Sequence, residues 1–104
     1  MDTILEINNP TYLLETIASN MRRRRLDLNL TQVSLARLSG VSLGSIKRYE
    51  TNAEISLKSL VNLAIALKCP HPFTYLFVVH TPDKIDDIVK QQRVKPRQRA
   101  RNND

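Results

Sequence analysis

The sequence predicts an all-α domain of five short helices followed by a basic tail, and three observations carry that expectation. One hexad pattern, aliphatic–Ser/Thr–x–x–Ser–aliphatic, occurs three times: Leu30-Thr31-Gln32-Val33-Ser34-Leu35, Val41-Ser42-Leu43-Gly44-Ser45-Ile46 and Ile55-Ser56-Leu57-Lys58-Ser59-Leu60. In each, the first hydroxyl is placed to accept from a free amide of a helix's first turn. The flanking aliphatics stand at N′ and N4, where they close as a hydrophobic staple. Helices therefore begin near residues 31, 42 and 56, and each cap is worth roughly 1 kcal/mol against alanine. Apolar residues between these starts recur at helical spacing. Gly40, between the first two segments, supplies the positive φ that a helix-ending turn needs.

The elements follow in order. Residues 1–9 are short and mixed; Ile4, Leu5 and Ile7 suit a small edge strand or a packed arm. Asn9-Pro10 is a cap followed by a first-turn proline. Leu13, Leu14, Ile17, Ala18 and Met21 then recur at helical spacing and predict a first helix over 10–25. A second helix is expected over 32–39 and a third over 43–49, with 51–54 a polar connection. A fourth follows over 57–68, with Leu57, Leu60, Val61, Ala64 and Leu67 as its inner face, stopped by Pro70 and Pro72. Phe73, Leu76 and Phe77 suggest a short fifth helix closing the core, running into an extended piece at Val78-Val79. The organisation is thus an arm over 1–9, a domain over 10–80 and a C-terminal segment over 81–104. In that segment Ile85, Ile88 and Val89 make a narrow apolar stripe after Thr81-Pro82. Beyond Gln92 an Arg- and Asn-rich stretch without periodicity is expected to be disordered when unbound.

Whole-chain properties exclude several classes. A length of 104 residues fits one domain with a small core. There is no apolar span of about 20 residues and no basic-then-apolar leader, so a soluble cytoplasmic protein without membrane contact is expected. The single Cys69 has no partner for an internal disulfide, and no Cys/His cluster has zinc-ligand spacing. His71 and His80 lack a nucleophile to serve, and the carboxylates form no evident pair. Neither an enzyme nor a cofactor or metal is indicated.

The net charge of +6 points to a polyanionic partner, and its distribution says more than the total. Positive charge gathers in Arg22-Arg23-Arg24-Arg25, in Lys47-Arg48, and at Arg93, Lys95, Arg97, Arg99 and Arg101. Between Gln32 and Glu50, Leu35, Ala36, Val41, Ile46 and Tyr49 are spaced to bury themselves, Ala36 being small where two helices cross closely. That leaves Ser42, Leu43, Gly44, Ser45, Lys47 and Arg48 facing outward, the arrangement of a DNA-reading helix-turn-helix.

Residues 14–77 resemble the Cro/cI (XRE) family of helix-turn-helix regulators. The likeness rests on Gln32 at the start of the second helix, Leu35-Ala36, Gly40-Val41, Ile46, and Glu50 closing the third helix. The resemblance implies an ion pair between Arg25 and Glu50, in preference to DNA contact by Arg25, and leaves Arg22, Arg23 and Arg24 for phosphates or a solvated basic face. It implies that the third helix enters the major groove while the amides opening the second helix meet a phosphate. Gln32, Ser42 and Lys58 are then candidates for backbone contacts. Arg48 and Lys47 are candidates for base edges, Arg48 bidentate to guanine, and Ser45 for either. Leu43 and Gly44 depart from the family pattern of polar readers. Either Leu43 touches a thymine methyl and Gly44 admits close backbone approach, or Leu43 is partly core and Gly44 is merely cheap to bury.

The expected function is a sequence-specific transcriptional regulator, a homodimeric repressor on an inverted-repeat operator in double-stranded DNA. Phe73, Leu76, Phe77 and Val79 supply either its dimer surface or internal core. The run SLGSIKRYETNAEISLKSL is similar to HipB-like antitoxin regulators, which autoregulate their operon and bind a HipA-like kinase toxin. A phage or restriction–modification controller-type repressor is the alternative. So is a protein-interaction adaptor that keeps the fold without DNA readout. The basic tail is either an arm on phosphates or the minor groove, or a solvated terminus.

Overall fold

The computed structural model describes residues 3–79 of the chain. Two compact units divide the chain, Met1–Thr74 and Tyr75–Asp104. In the first, the described residues form α1 (Ile4–Ile7), α2 (Pro10–Asp27), α3 (Gln32–Ser39), α4 (Leu43–Asn52) and α5 (Leu57–Ala66); a 3₁₀ turn over His71–Tyr75 runs up to the start of the second. The described residues are all-helical, as the capping pattern predicts, and the expected stripe over 81–92 lies outside them.

Residues 4–7 form one helical turn and not an edge strand. Thr3 and Glu6 close a capping box in which Thr3 N–H donates to Glu6 Oε1 (2.9 Å) and Glu6 N–H to Thr3 Oγ1 (3.1 Å). Asn9 caps α2, its Oδ1 accepting from the amides of Thr11 (2.9 Å) and Tyr12 (3.3 Å), with Pro10 at the first helical position.

All three hexads open helices. Thr31, Ser42 and Ser56 each accept from the amide three residues on, that of Ser34 (3.0 Å), Ser45 (3.1 Å) and Ser59 (3.1 Å). The six flanking aliphatics belong to the core or pack against it. The core itself gathers Ala18 and Met21 of α2, Leu35 of α3, Val41, Ile46 and Tyr49 of the central segment, Ala53, and Leu63 and Leu67 around α5. Helix α3 packs against both α4 and α5, and α2 against α4.

Helix ends depart from expectation in instructive ways. α2 and α5 both close with a doubled hydrogen-bond turn. Leu30 N–H reaches Arg25 O (3.1 Å) and Asn29 N–H reaches Leu26 O (2.9 Å); Cys69 N–H reaches Ala64 O (2.9 Å) and Lys68 N–H reaches Ile65 O (3.1 Å). Asn29 (φ 59°) and Lys68 (φ 62°) take the left-handed position, so α5 stops at Ala66, before either proline acts. α4 runs through Thr51 and Asn52, which were expected in a connection, and ends at Ala53 (φ 60°).

Three burial expectations are corrected. Leu63, fully buried, replaces Leu57 on the inner face of α5, where Leu57 is exposed. Leu13, Leu14 and Ile17 are largely exposed although they share α2's apolar stripe with buried Met21. The expected fifth helix is only the 3₁₀ turn. Phe73 is half-buried, Leu76 and Phe77 are exposed, and Val78-Val79 has no regular structure, so these residues are not internal core.

Candidate nucleic-acid interface

The turn between α3 and α4 is built from Gly40 outward. Its φ of 77° lets the Gly40 amide reach back to Ala36 O (3.0 Å), while Val41 N–H donates to Ser39 Oγ (3.1 Å). The chain then re-enters helix at Leu43 with Val41 already buried. On α4, Ile46 and Tyr49 are inward and Ala53 seals the end. Helical geometry therefore turns Gly44, Lys47, Arg48, Thr51 and Asn52 to the opposite side, and all five are exposed.

The inner side of α4 is fixed by a buried polar cluster. Arg25 and Glu50 form a two-pronged pair, with Arg25 Nε donating to Glu50 Oε2 (2.8 Å) and Nη2 to Oε1 (2.9 Å). Their side chains are 8% and 6% exposed, which places the pair out of water. Arg25 Nη1 donates to Leu30 O (2.8 Å), and Gln32 Nε2 to Glu50 Oε1 (3.0 Å). Three helices, α2, α3 and α4, thus meet on one carboxylate. Burial alone pushes the Glu50 carboxyl up. The hydrogen bonds from Arg25 and Gln32 and the charges of Arg25 and Arg22 outweigh it and hold the group below the usual glutamate value.

The other sequence-predicted residues fall into three groups. Lys47 and Arg48 lie exposed on α4, Lys58 exposed in the first turn of α5, and Arg23 exposed on α2. Ser42 and Ser45 are committed to the helix start: Ser42 Oγ accepts the Ser45 amide and donates to Ser45 Oγ (2.8 Å). Leu43 is half-buried. Gly44 is exposed, and a Cβ built on it meets nothing within 4 Å, so it is not a buried spacer.

Two of the arginines expected to be free are engaged. Arg24 is half-buried and donates from Nε to Leu67 O (2.8 Å), taking a carbonyl at the end of α5. Arg22, still exposed, approaches Glu50 at 3.7 Å. Gln32 also differs, because its side chain is turned onto Glu50. At the start of α3, Thr31 takes the Ser34 amide, and the earlier amides of that turn are what this helix offers an anion.

Thr51 and Asn52 share this exposed face of α4, although the sequence places them in a connection. They follow Lys47 and Arg48 by three to five positions, one turn further along α4, and the expectation of a connection at 51 removed them from that face. The available signal was the absence of any Gly or Pro between Gly44 and Pro70.

An exposed cationic helix, braced from behind and preceded by a tight turn and a shorter helix, defines a helix-turn-helix DNA-binding domain. A model of the Helix-turn-helix family matches residues 21–73, about half of the chain. The chain belongs to this Cro/cI-type family and is a DNA-binding transcription regulator. Comparison with characterised proteins and with solved structures finds no match. Among the described residues, no helix is long and apolar enough to cross a membrane.

Proposed function

We propose that the chain is a homodimeric repressor that occupies an inverted-repeat operator and controls its own operon. The observation that carries this reading is the exposed face of α4, where Lys47 and Arg48 stand over the buried pair Ile46 and Tyr49. α4 lies in the major groove, Arg48 takes a guanine edge through its guanidinium fork, and Lys47 contributes an adjacent base or phosphate contact. Lys58, Arg23 and Arg22 hold backbone phosphates, as do the opening amides of α3 at Gln32, and these contacts set register. Leu43 and the open Gly44 let the first turn of α4 approach the groove floor. One such helix reads half a site, which is why two copies are required.

Selection of bound duplexes from random DNA, followed by footprinting, tests this reading. A palindromic consensus protected over two half-sites about one helical turn apart supports it. Enrichment of no consensus rejects it.

The finer assignment is the DNA-binding component of a toxin–antitoxin module of the HipB/HipA kind, and it is supported by the run from Ser42 to Leu60. Co-purification of the chain from its native source with a kinase-like protein supports that assignment. Recovery of the chain without one removes it.

A further inference from the structure

The start of α4 differs in kind from its next turn. Ser42 Oγ accepts the Ser45 amide (3.1 Å) and bonds to Ser45 Oγ (2.8 Å), so both hydroxyls are tied to the helix start. Between them stand Leu43, half-buried, and Gly44, exposed. Lys47 follows Leu43 by four positions and Arg48 follows Gly44 by four, so each lies one turn above its apolar counterpart. The reading helix is thus apolar where it begins and cationic one turn later. Nothing in the fold calls for glycine at 44. Its backbone is not left-handed, and a Cβ added there meets nothing within 4 Å. Glycine inside a helix is also less stable than alanine. The missing side chain leaves room for something outside the chain.

We infer that Leu43 and Gly44 are specificity-determining residues for the C5-methyl group of a pyrimidine. Gly44 admits the base-pair edge against the α4 backbone, and Leu43 covers the methyl. The inference rests on the DNA-reading function proposed above and names what the first turn of α4 reads. Polarity makes the selection. The major-groove edge of a base pair presents hydrogen-bond donors and acceptors, and its one apolar substituent is the C5-methyl of thymine. A leucine laid on a donor or acceptor displaces water without replacing the hydrogen bond, which is unfavourable. Laid on a methyl, it buries apolar surface. Recognition helices contact bases through their N-terminal residues, which brings this turn over the base edges together with Lys47 and Arg48. One helical turn advances about 5.4 Å. Base pairs are spaced by about 3.4 Å, so the methyl lies within about two base pairs of the guanine taken by Arg48. Cytosine methylated at C5 presents the same group in the same groove.

The full chain is titrated with the selected duplex and with a set in which one thymine at a time becomes deoxyuridine. That change removes the methyl and leaves every hydrogen-bonding group in place. One or two thymines near the guanine are expected to matter, each by about fourfold in affinity, the effect of burying one carbon. In a second arm the same position carries cytosine, and methylating its C5 is expected to recover about fourfold. Loss in the first arm assigns the methyl to thymine, and recovery in the second extends the reading to methylated cytosine. In Leu43→Ala the thymine-to-deoxyuridine difference is expected to vanish. That ratio is taken within one variant, so a partial loss of fold cancels from it. Gly44→Ala supplies an arm that does not threaten the fold: it is expected to lose at least the same fourfold on the selected duplex while unfolding no earlier than the native chain. Flat results in both methyl arms, an undiminished difference in Leu43→Ala, or native affinity in Gly44→Ala overturns the inference. A chain that selects a consensus yet gives one of these results keeps its DNA reader and loses only this assignment. A chain that selects no consensus loses both.

Discussion

The segment from α3 to α4 and the segment from α1 into the first half of α2 obey the same helical periodicity with opposite results. From α3 to α4, Leu35, Val41, Ile46 and Tyr49 are all buried, and apart from Val33 and Leu38 the exposed residues are polar, cationic or glycine. In α1 and early α2, residues of equal hydrophobicity at equally regular spacing are exposed. Periodicity tells which side of a helix is apolar. Whether that side is covered depends on the length and placement of its neighbours, and α2 is longer than anything packed against it.

Substitutions that remove the same group from each region break this comparison most severely. Leu35→Ala in the core is expected to cost about 2–5 kcal/mol. Leu14→Ala, starting half-exposed and gaining helix propensity, is expected to cost under about 1 kcal/mol. Denaturant unfolding of both variants checks the contrast, and equal losses abolish it. Glu50→Ala belongs with the severe class because it strands Arg25 uncompensated in the interior, a loss of about 3–5 kcal/mol.

The sign of the pH dependence follows from the same carboxylate. Its folded-state value is depressed, so its stabilisation is full above the ordinary glutamate range and disappears as pH falls through the folded value. Unfolding midpoints measured from neutral to acid pH should therefore drop more steeply for the native chain than for Glu50→Gln.

Much of this contrast was legible in the residues and part was not. The three hexads placed the starts of α3, α4 and α5 because a cap and a staple are local, and nothing distant overrides them. Thr3-Ile4-Leu5-Glu6 carried the same kind of signal, a capping box, and one turn of helix was available from it. Helix ends were less legible. Asn29, Ala53 and Lys68 all adopt left-handed backbone without being glycine; asparagine tolerates it, but for Ala53 and Lys68 it costs about 1–2 kcal/mol each, which only the surrounding structure sustains. The Arg24 contact to Leu67 O joins residues 43 apart, and no periodicity encodes it.

Smaller effects sharpen the reading of α4. Arg48→Ala is expected to weaken binding to the preferred duplex by about 1–3 kcal/mol and to leave unfolding within about 0.5 kcal/mol, since the side chain is exposed. Gly44→Ala is expected to raise stability by about 0.5–1 kcal/mol, because the added methyl meets no protein atom and the helix gains rigidity. If α4 approaches the groove closely there, the same methyl lowers DNA affinity despite the gain. Thermal unfolding and duplex titration of one sample separate these two effects.

The most direct measurement follows the native chain and its Arg48→Ala variant on the selected duplex and on a base-shuffled duplex across a range of salt. The account predicts that the native chain prefers the selected duplex at every salt concentration, with log affinity falling linearly against log salt, and that Arg48→Ala loses most of that preference. Equal native affinity for both duplexes, or an undiminished preference in Arg48→Ala, contradicts it.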